Sequence, residues 1–105
     1  MSQIVEVNSN EDFESKVVGA KGKQLVKFTA SWCGPCKMMK PIDEGIAADG
    51  DVEVVYVNID SAEDIAPKFG VRGVPTYFVF EDGVKSDKAP LVGAKSKGDM
   101  TSFIA

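Results

Sequence analysis

The stretch "QLVKFTASWCGPCK", residues 24–37, constrains the fold more tightly than any other part of the chain. Its first half is a run of bulky apolar residues bounded by polar ones, the pattern of a strand covered on both faces. Its second half holds both cysteines of the chain, Cys33 and Cys36, and passes into a run able to form a helix. A strand that turns sharply into a helix at this point places Cys33 at the helix N-terminus. One residue breaks the pattern: Lys27 sets an ammonium group inside the apolar run.

The rest of the chain repeats the alternation. "IVEV" (4–7) reads as a strand, and residues 10–20 as a helix capped by Ser9 or Asn10, with acidic residues in the first turn. A helix from about Pro35 to Ala48 follows the cysteine turn, with Pro41 as an expected kink. Residues 52–60 form the next strand, and residues 61–70 a helix opened by Ser61 and Asp64 in capping-box spacing and closed by Gly70. Residues 75–85 read as a strand running into an Asp82-Gly83 hairpin turn, with "APLVGA" (89–94) as the partner strand. Residues 96–105 make a last helix capped by Ser96. The order β-α-β-α-β-α-β-β-α predicts a three-layer α/β sandwich, a central mixed sheet with helices on both faces. Residues 1–105 are read as a single domain.

Composition excludes several classes of function. A chain of 105 residues, 44% hydrophobic, is long enough for a core that needs no staples. A formal charge of −4 disfavours direct nucleic-acid binding and anionic membranes. No apolar run is long enough to span a bilayer, and the N-terminus lacks the basic region and apolar core of a signal peptide. A reducing cytoplasm is therefore the expected location, and there a close cysteine pair is catalytic or metal-binding more often than structural. Histidine is absent, which removes Ser-His and Cys-His catalysis and most zinc-enzyme sites.

Three uses of the cysteine pair compete. A closed zinc site needs four ligands and this chain offers two thiolates, so only a site shared between chains stays open. As a structural staple, a loop this short is worth about 2 kcal/mol before strain. Redox exchange fits the context best. Unpaired N–H groups and the dipole at a helix N-terminus favour the Cys33 thiolate. Pro35 suits the first turn, and Gly34 leaves room for an approaching disulfide. Cys36, one turn further in, is placed to resolve the mixed disulfide that Cys33 forms. Met38 and Met39 read as packing residues, and Asp49, Asp51 and Glu53 as a solvated turn without calcium-loop spacing.

On these residues the chain resembles the thioredoxin family. "WCGPCK" matches the family's active-site motif, and "VNID", "APKFGVRGVPT" and "VGAKSKG" match further segments in order and spacing. The resemblance runs from about Ile4 to the end. It implies protein-disulfide reduction through a reversible Cys33–Cys36 dithiol, with no bound cofactor. The dithiol would be restored by a thioredoxin reductase drawing on NADPH. The implied partners are that reductase and disulfide-bearing client proteins, with the protein itself a monomer. It also implies a cis Val74–Pro75 bond facing the disulfide, and a client-binding surface of Trp32, Gly34, Pro35, Val74, Pro75, Val92, Gly93 and Ala94. Lys37 is expected to be a solvated neighbour that influences the local field. The resemblance leaves two other roles open: an assembly subunit without redox turnover, and a more oxidising exchange protein.

Lys27 departs from that family. The matching position usually holds a buried aspartate that handles the proton of the second cysteine, and the lysine often found near it is matched here by Tyr56. Strand parity keeps Lys27 off the open surface. Three states are open: a side chain snorkelling to solvent, a buried amine that accepts the Cys36 proton, or a charged ammonium near Cys36. In the last case Coulomb's law at about 6 Å and an effective dielectric of about 20 favours the thiolate by roughly 3 kcal/mol, about a hundredfold in acidity.

Overall fold

The computed structural model describes residues 4–105; residues 1–3 of the expected domain lie outside them. Strands β1 (Val5–Val7), β2 (Lys23–Thr29), β3 (Glu53–Asn58), β4 (Thr76–Glu81), β5 (Val84–Lys85) and β6 (Leu91–Val92) form one sheet. Its order is β1-β3-β2-β4-β5, with β6 also on β4. The first three strands of that order are parallel, and β4 runs antiparallel to β2, so the sheet is mixed. Apolar β2 is central and hydrogen-bonded on both sides, which is why both of its faces need cover.

Helices supply the cover. On one face α1 (Asn10–Phe13) and α3 (Ile65–Lys68) enclose Val26, Phe28, Val55, Val57, Phe78 and Phe80. On the other, α2 (Gly34–Asp49) and α4 (Lys97–Ile104) pack Met39, Ile46, Met100 and Ile104 against Leu25, Val54 and Tyr77. Parity along β2 therefore aims Val26 and Phe28 at the first face and Leu25 and Lys27 at the second.

Local chemistry explains most element ends. The Ser9 and Ser96 hydroxyls accept the backbone N–H of Asp12 and Asp99, capping α1 and α4. Asp82 and Gly83 both take positive φ, 52° and 84°, as a two-residue hairpin turn requires.

Three elements depart from the sequence reading. The helix over 10–20 changes character after Phe13: Glu14–Val18 is π-helical, closed by a Gly19 N–H donated to the Glu14 carbonyl at 2.8 Å. The helix expected over 61–70 shrinks to Ile65–Lys68. Asp64 makes no side-chain cap there; its carboxylate instead accepts Asn10 Nδ2 at 2.9 Å, so a tertiary contact replaces the capping box. The single partner strand of β4 is split in two, with β5 opposite Phe80 and Glu81 and β6 opposite Thr76 and Tyr77.

Candidate active site

Cys33 follows the short turn after β2 and is the N-cap residue of α2. It has extended backbone angles (φ −87°, ψ 108°), and its Sγ accepts the Cys36 N–H at 3.1 Å, so the sulfur itself caps the helix. Cys33 and Cys36 form a disulfide and pack with Ala30, Ile59 and Val74. In this oxidised form both cysteines are only 3% exposed.

Around the disulfide the surface is apolar and open. Trp32 is 66% exposed, with its indole N–H donated to Asp60 Oδ2 at 2.9 Å, so it is not core filler. Gly34, Pro35 and Lys37 are exposed in the first turn of α2. The Val74–Pro75 bond is cis; Val74 is half-buried against the cysteines and Pro75 is buried. Pairing of Thr76 with Val92, and a Gly93 N–H donated to the Pro75 carbonyl at 2.9 Å, bring β6 beside that proline. Val92 and Ala94 are exposed there. Met39 is buried as expected, whereas Met38 is 72% exposed, a correction to its reading as a packing residue.

Beneath the disulfide lies the feature that sequence reasoning missed. Lys27 is 1% exposed, so it does not snorkel. Its ammonium donates to the Cys36 carbonyl at 2.8 Å and to Asp43 Oδ2 at 2.7 Å. Asp43, fully buried on α2, also accepts the Tyr56 hydroxyl at 2.7 Å on Oδ2 and the Tyr77 hydroxyl at 2.8 Å on Oδ1. In the sheet, Tyr56 and Tyr77 are the register neighbours of Lys27 on either side. One rung across three strands thus converges on one carboxylate. The Lys27 ammonium also lies 4.6 Å from the Tyr56 ring centroid and 5.7 Å from that of Tyr77.

The usual acid–base pair of the family is therefore not replaced by Lys27 and Tyr56 alone; the acid has moved to α2. A signal was present. Buried positions 36, 39, 43 and 46 follow helical spacing, which puts Asp43 on the same apolar stripe as Cys36.

Burial lowers the Lys27 pKa, opposed by the hydrogen bond and charge of Asp43, with the Lys40 charge lowering it further. Burial first, then the bond and charge of Asp43, push the Tyr56 phenol far up. Burial followed by the charge and hydrogen bond of Asp43 does the same to Tyr77. Both phenols therefore stay protonated and act as donors. A cleft of about 430 Å³ reaches this group from solvent, lined by Lys27, Cys36, Lys40, Glu44, Tyr56 and Glu6 among others. Among the described residues no group of three His, Cys, Asp or Glu side chains is placed to hold a metal ion. Nor is any helix among them long and apolar enough to cross a membrane.

A reversible disulfide at a helix N-terminus, bordered by open apolar surface, is the working part of a thiol–disulfide oxidoreductase. Comparison with known proteins agrees. The thioredoxin family model matches residues 4–105. A thioredoxin of Pseudomonas aeruginosa is 42% identical, covering 99% of this chain and 96% of its own. A thioredoxin of Staphylococcus aureus is 41% identical, covering 96% and 94% respectively. Among solved structures, a mutant thioredoxin from Halobacterium salinarum superposes with a TM-score of 0.85 at 30% identity, covering 97% of this chain and 88% of that one. The thioredoxin of Malassezia sympodialis gives 0.81 at 31% identity, with coverage of 98% and 90%. The chain belongs to the thioredoxin family, and it is a thiol–disulfide oxidoreductase.

Proposed function

We propose that this oxidoreductase acts as a protein-disulfide reductase. The observation that carries the reading is the Cys33–Cys36 disulfide capping α2 beside an exposed surface of Trp32 and Val92. In the dithiol form the Cys33 thiolate attacks one sulfur of a client disulfide. That S–S bond breaks, the other client sulfur leaves as a thiolate and takes a proton, and a mixed disulfide joins client to Cys33. Cys36 loses its proton to solvent and attacks Cys33 Sγ. The mixed disulfide breaks, the second client thiolate leaves, and the Cys33–Cys36 bond closes. Two electrons pass to the client.

Trp32, Gly34, Pro35, Val74, Pro75, Val92, Gly93 and Ala94 form the client surface in this reading, with Val74 offering backbone for strand-like pairing to an extended client segment. Lys37, exposed beside the motif, adds positive charge to that surface. A thioredoxin reductase, itself supplied by NADPH, returns two electrons to the disulfide, and the protein works as a single-domain monomer in a reducing compartment such as the cytoplasm. The test is insulin reduction with dithiothreitol. The wild type should precipitate insulin and Cys33→Ser should not; an inert wild type would overturn the reading.

A further inference from the structure

We infer that Asp43 is a positioning residue for the redox pair: it holds the Lys27 ammonium against the first turn of α2, so that Cys36 ionises facing a fixed positive charge. The inference rests on the proposed reductase reading only for its biological use, since the ionisation can be measured without any client.

The geometry supports each link. Among the described residues the Lys27 ammonium donates to two groups, the Asp43 carboxylate at 2.7 Å and the Cys36 carbonyl at 2.8 Å. The second contact fixes the ammonium at the residue whose sulfur must ionise. Asp43 in turn is held from two strands by the Tyr56 and Tyr77 hydroxyls. Three donors thus meet one carboxylate, with Lys27 and Asp43 at 1% and 0% exposure, and the bond and charge of Asp43 oppose the loss of the lysine's proton that burial favours. Without Asp43 nothing would offset the burial of the ammonium, and the lysine would shed its proton. The other charges that face this group are Lys37, Lys40 and Glu44 from α2 and Glu6 from β1, which line the cleft that reaches it.

The consequence is an inversion of sign. A carboxylate acting directly on Cys36 raises the thiol's pKa. Here it is the ammonium that touches the Cys36 backbone, at 2.8 Å, and the carboxylate is bonded to that ammonium. A lone positive charge at about 6 Å and an effective dielectric of about 20 changes acidity about a hundredfold, and the carboxylate bonded to it cancels part of that, leaving roughly tenfold.

The experiment is a pH titration of Cys36 alkylation in the reduced protein, resolved by peptide mass. Lys27→Met should raise the Cys36 pKa by about two units, a hundredfold loss of thiolate below that pKa, because the ammonium goes and the opposing carboxylate stays. Asp43→Asn should raise it too, because the lysine left without its counter-ion becomes neutral. A lowered pKa in Asp43→Asn would show that the carboxylate acts directly, and would overturn the inference. So would an unmoved pKa in folded variants, which would make the pair structural only. If Asp43→Asn does not fold, Lys27→Met combined with Asp43→Leu removes both charges, leaving neither buried and unpaired. It should raise the pKa by about one unit, the net effect of the pair, and an unmoved value again refutes the inference. Insulin reduction by the wild type is run in parallel. Inert wild type with a responsive Cys36 pKa defeats the reductase reading and leaves Asp43 in its role; active wild type with an unresponsive pKa does the reverse.

Discussion

Replacing Lys27 with methionine keeps the length of the side chain and removes its charge, which leaves Asp43 ionised inside the protein with the Tyr56 and Tyr77 hydroxyls as donors. Breaking a buried pair from one side costs about 3–5 kcal/mol, and two remaining donors put this variant near the low end, about 3 kcal/mol. Asp43→Leu should be worse. It leaves buried Lys27 with only the Cys36 carbonyl, so that folding must also take the lysine's proton away, and it orphans the hydroxyl of fully buried Tyr77, so about 5 kcal/mol is expected. The double variant buries no charge. Apolar replacement of a buried pair is often neutral or stabilising, while the orphaned Tyr77 hydroxyl costs about 1–3 kcal/mol, so the double should lie within about 2 kcal/mol of wild type. The assay is urea unfolding at pH 7 without reductant, so that the disulfide stays closed, with m-values compared to check that unfolding remains two-state. If each single variant stays within about 1 kcal/mol of wild type, or the double loses the sum of the two, the pair is not the coupled buried unit argued above.

Other outcomes follow from the same coordinates. Both phenols keep their protons in the fold beyond the pH at which an unfolded tyrosine releases its own, so the unfolded state binds fewer protons above about pH 10 and stability must fall there. Buried Tyr77 alone should contribute a slope of about 1.4 kcal/mol per pH unit. Urea midpoints between pH 9 and 11 should decline steeply in wild type and less so in Tyr77→Phe. The lowered pKa of Lys27 works in the opposite sense just below the ordinary lysine value, where the unfolded chain binds the extra proton; Lys27→Met should therefore lose a small rise in stability in that window. A Cβ at Gly83 would sit 2.0 Å from the Val18 carbonyl oxygen at a φ of +84°, whereas one at Gly22, φ +86°, meets nothing within 4 Å. Gly83→Ala should accordingly lower thermal stability far more than Gly22→Ala, which costs about 1 kcal/mol for its backbone alone. Ser9→Ala and Ser96→Ala each remove one cap hydrogen bond and should cost about 1 kcal/mol apiece by thermal or urea unfolding.

What was legible in the sequence was local chemistry. Ser9 and Ser96 cap through the N–H groups three residues on, the Asp82-Gly83 pair dictates its own turn, and the cysteine motif needs only a strand before it and a helix after it. What escaped were contacts between distant segments. Asp64 has capping-box spacing, yet Asn10, far away in the chain, takes its carboxylate. Strand parity correctly put Lys27 on a covered face, and helical spacing put Asp43 on an apolar stripe. Neither rule says at which rung of the sheet the helix sits, and only that registration brings ammonium to carboxylate. Periodicity likewise sees a run of apolar residues near the end of the sheet but not that β4 is met by two short strands in place of one.

The Lys27–Asp43 pair also bears on how such a sequence arises. The two residues lie on different elements, and either one alone is a buried charge without a partner. A lineage could not exchange them one at a time without passing through a weakened protein. Among relatives, a lysine at the strand position should therefore occur with an acid at the helix position, and each should be scarce without the other. Two letters sixteen residues apart thus make one unit of inheritance, each setting the cost of changing the other.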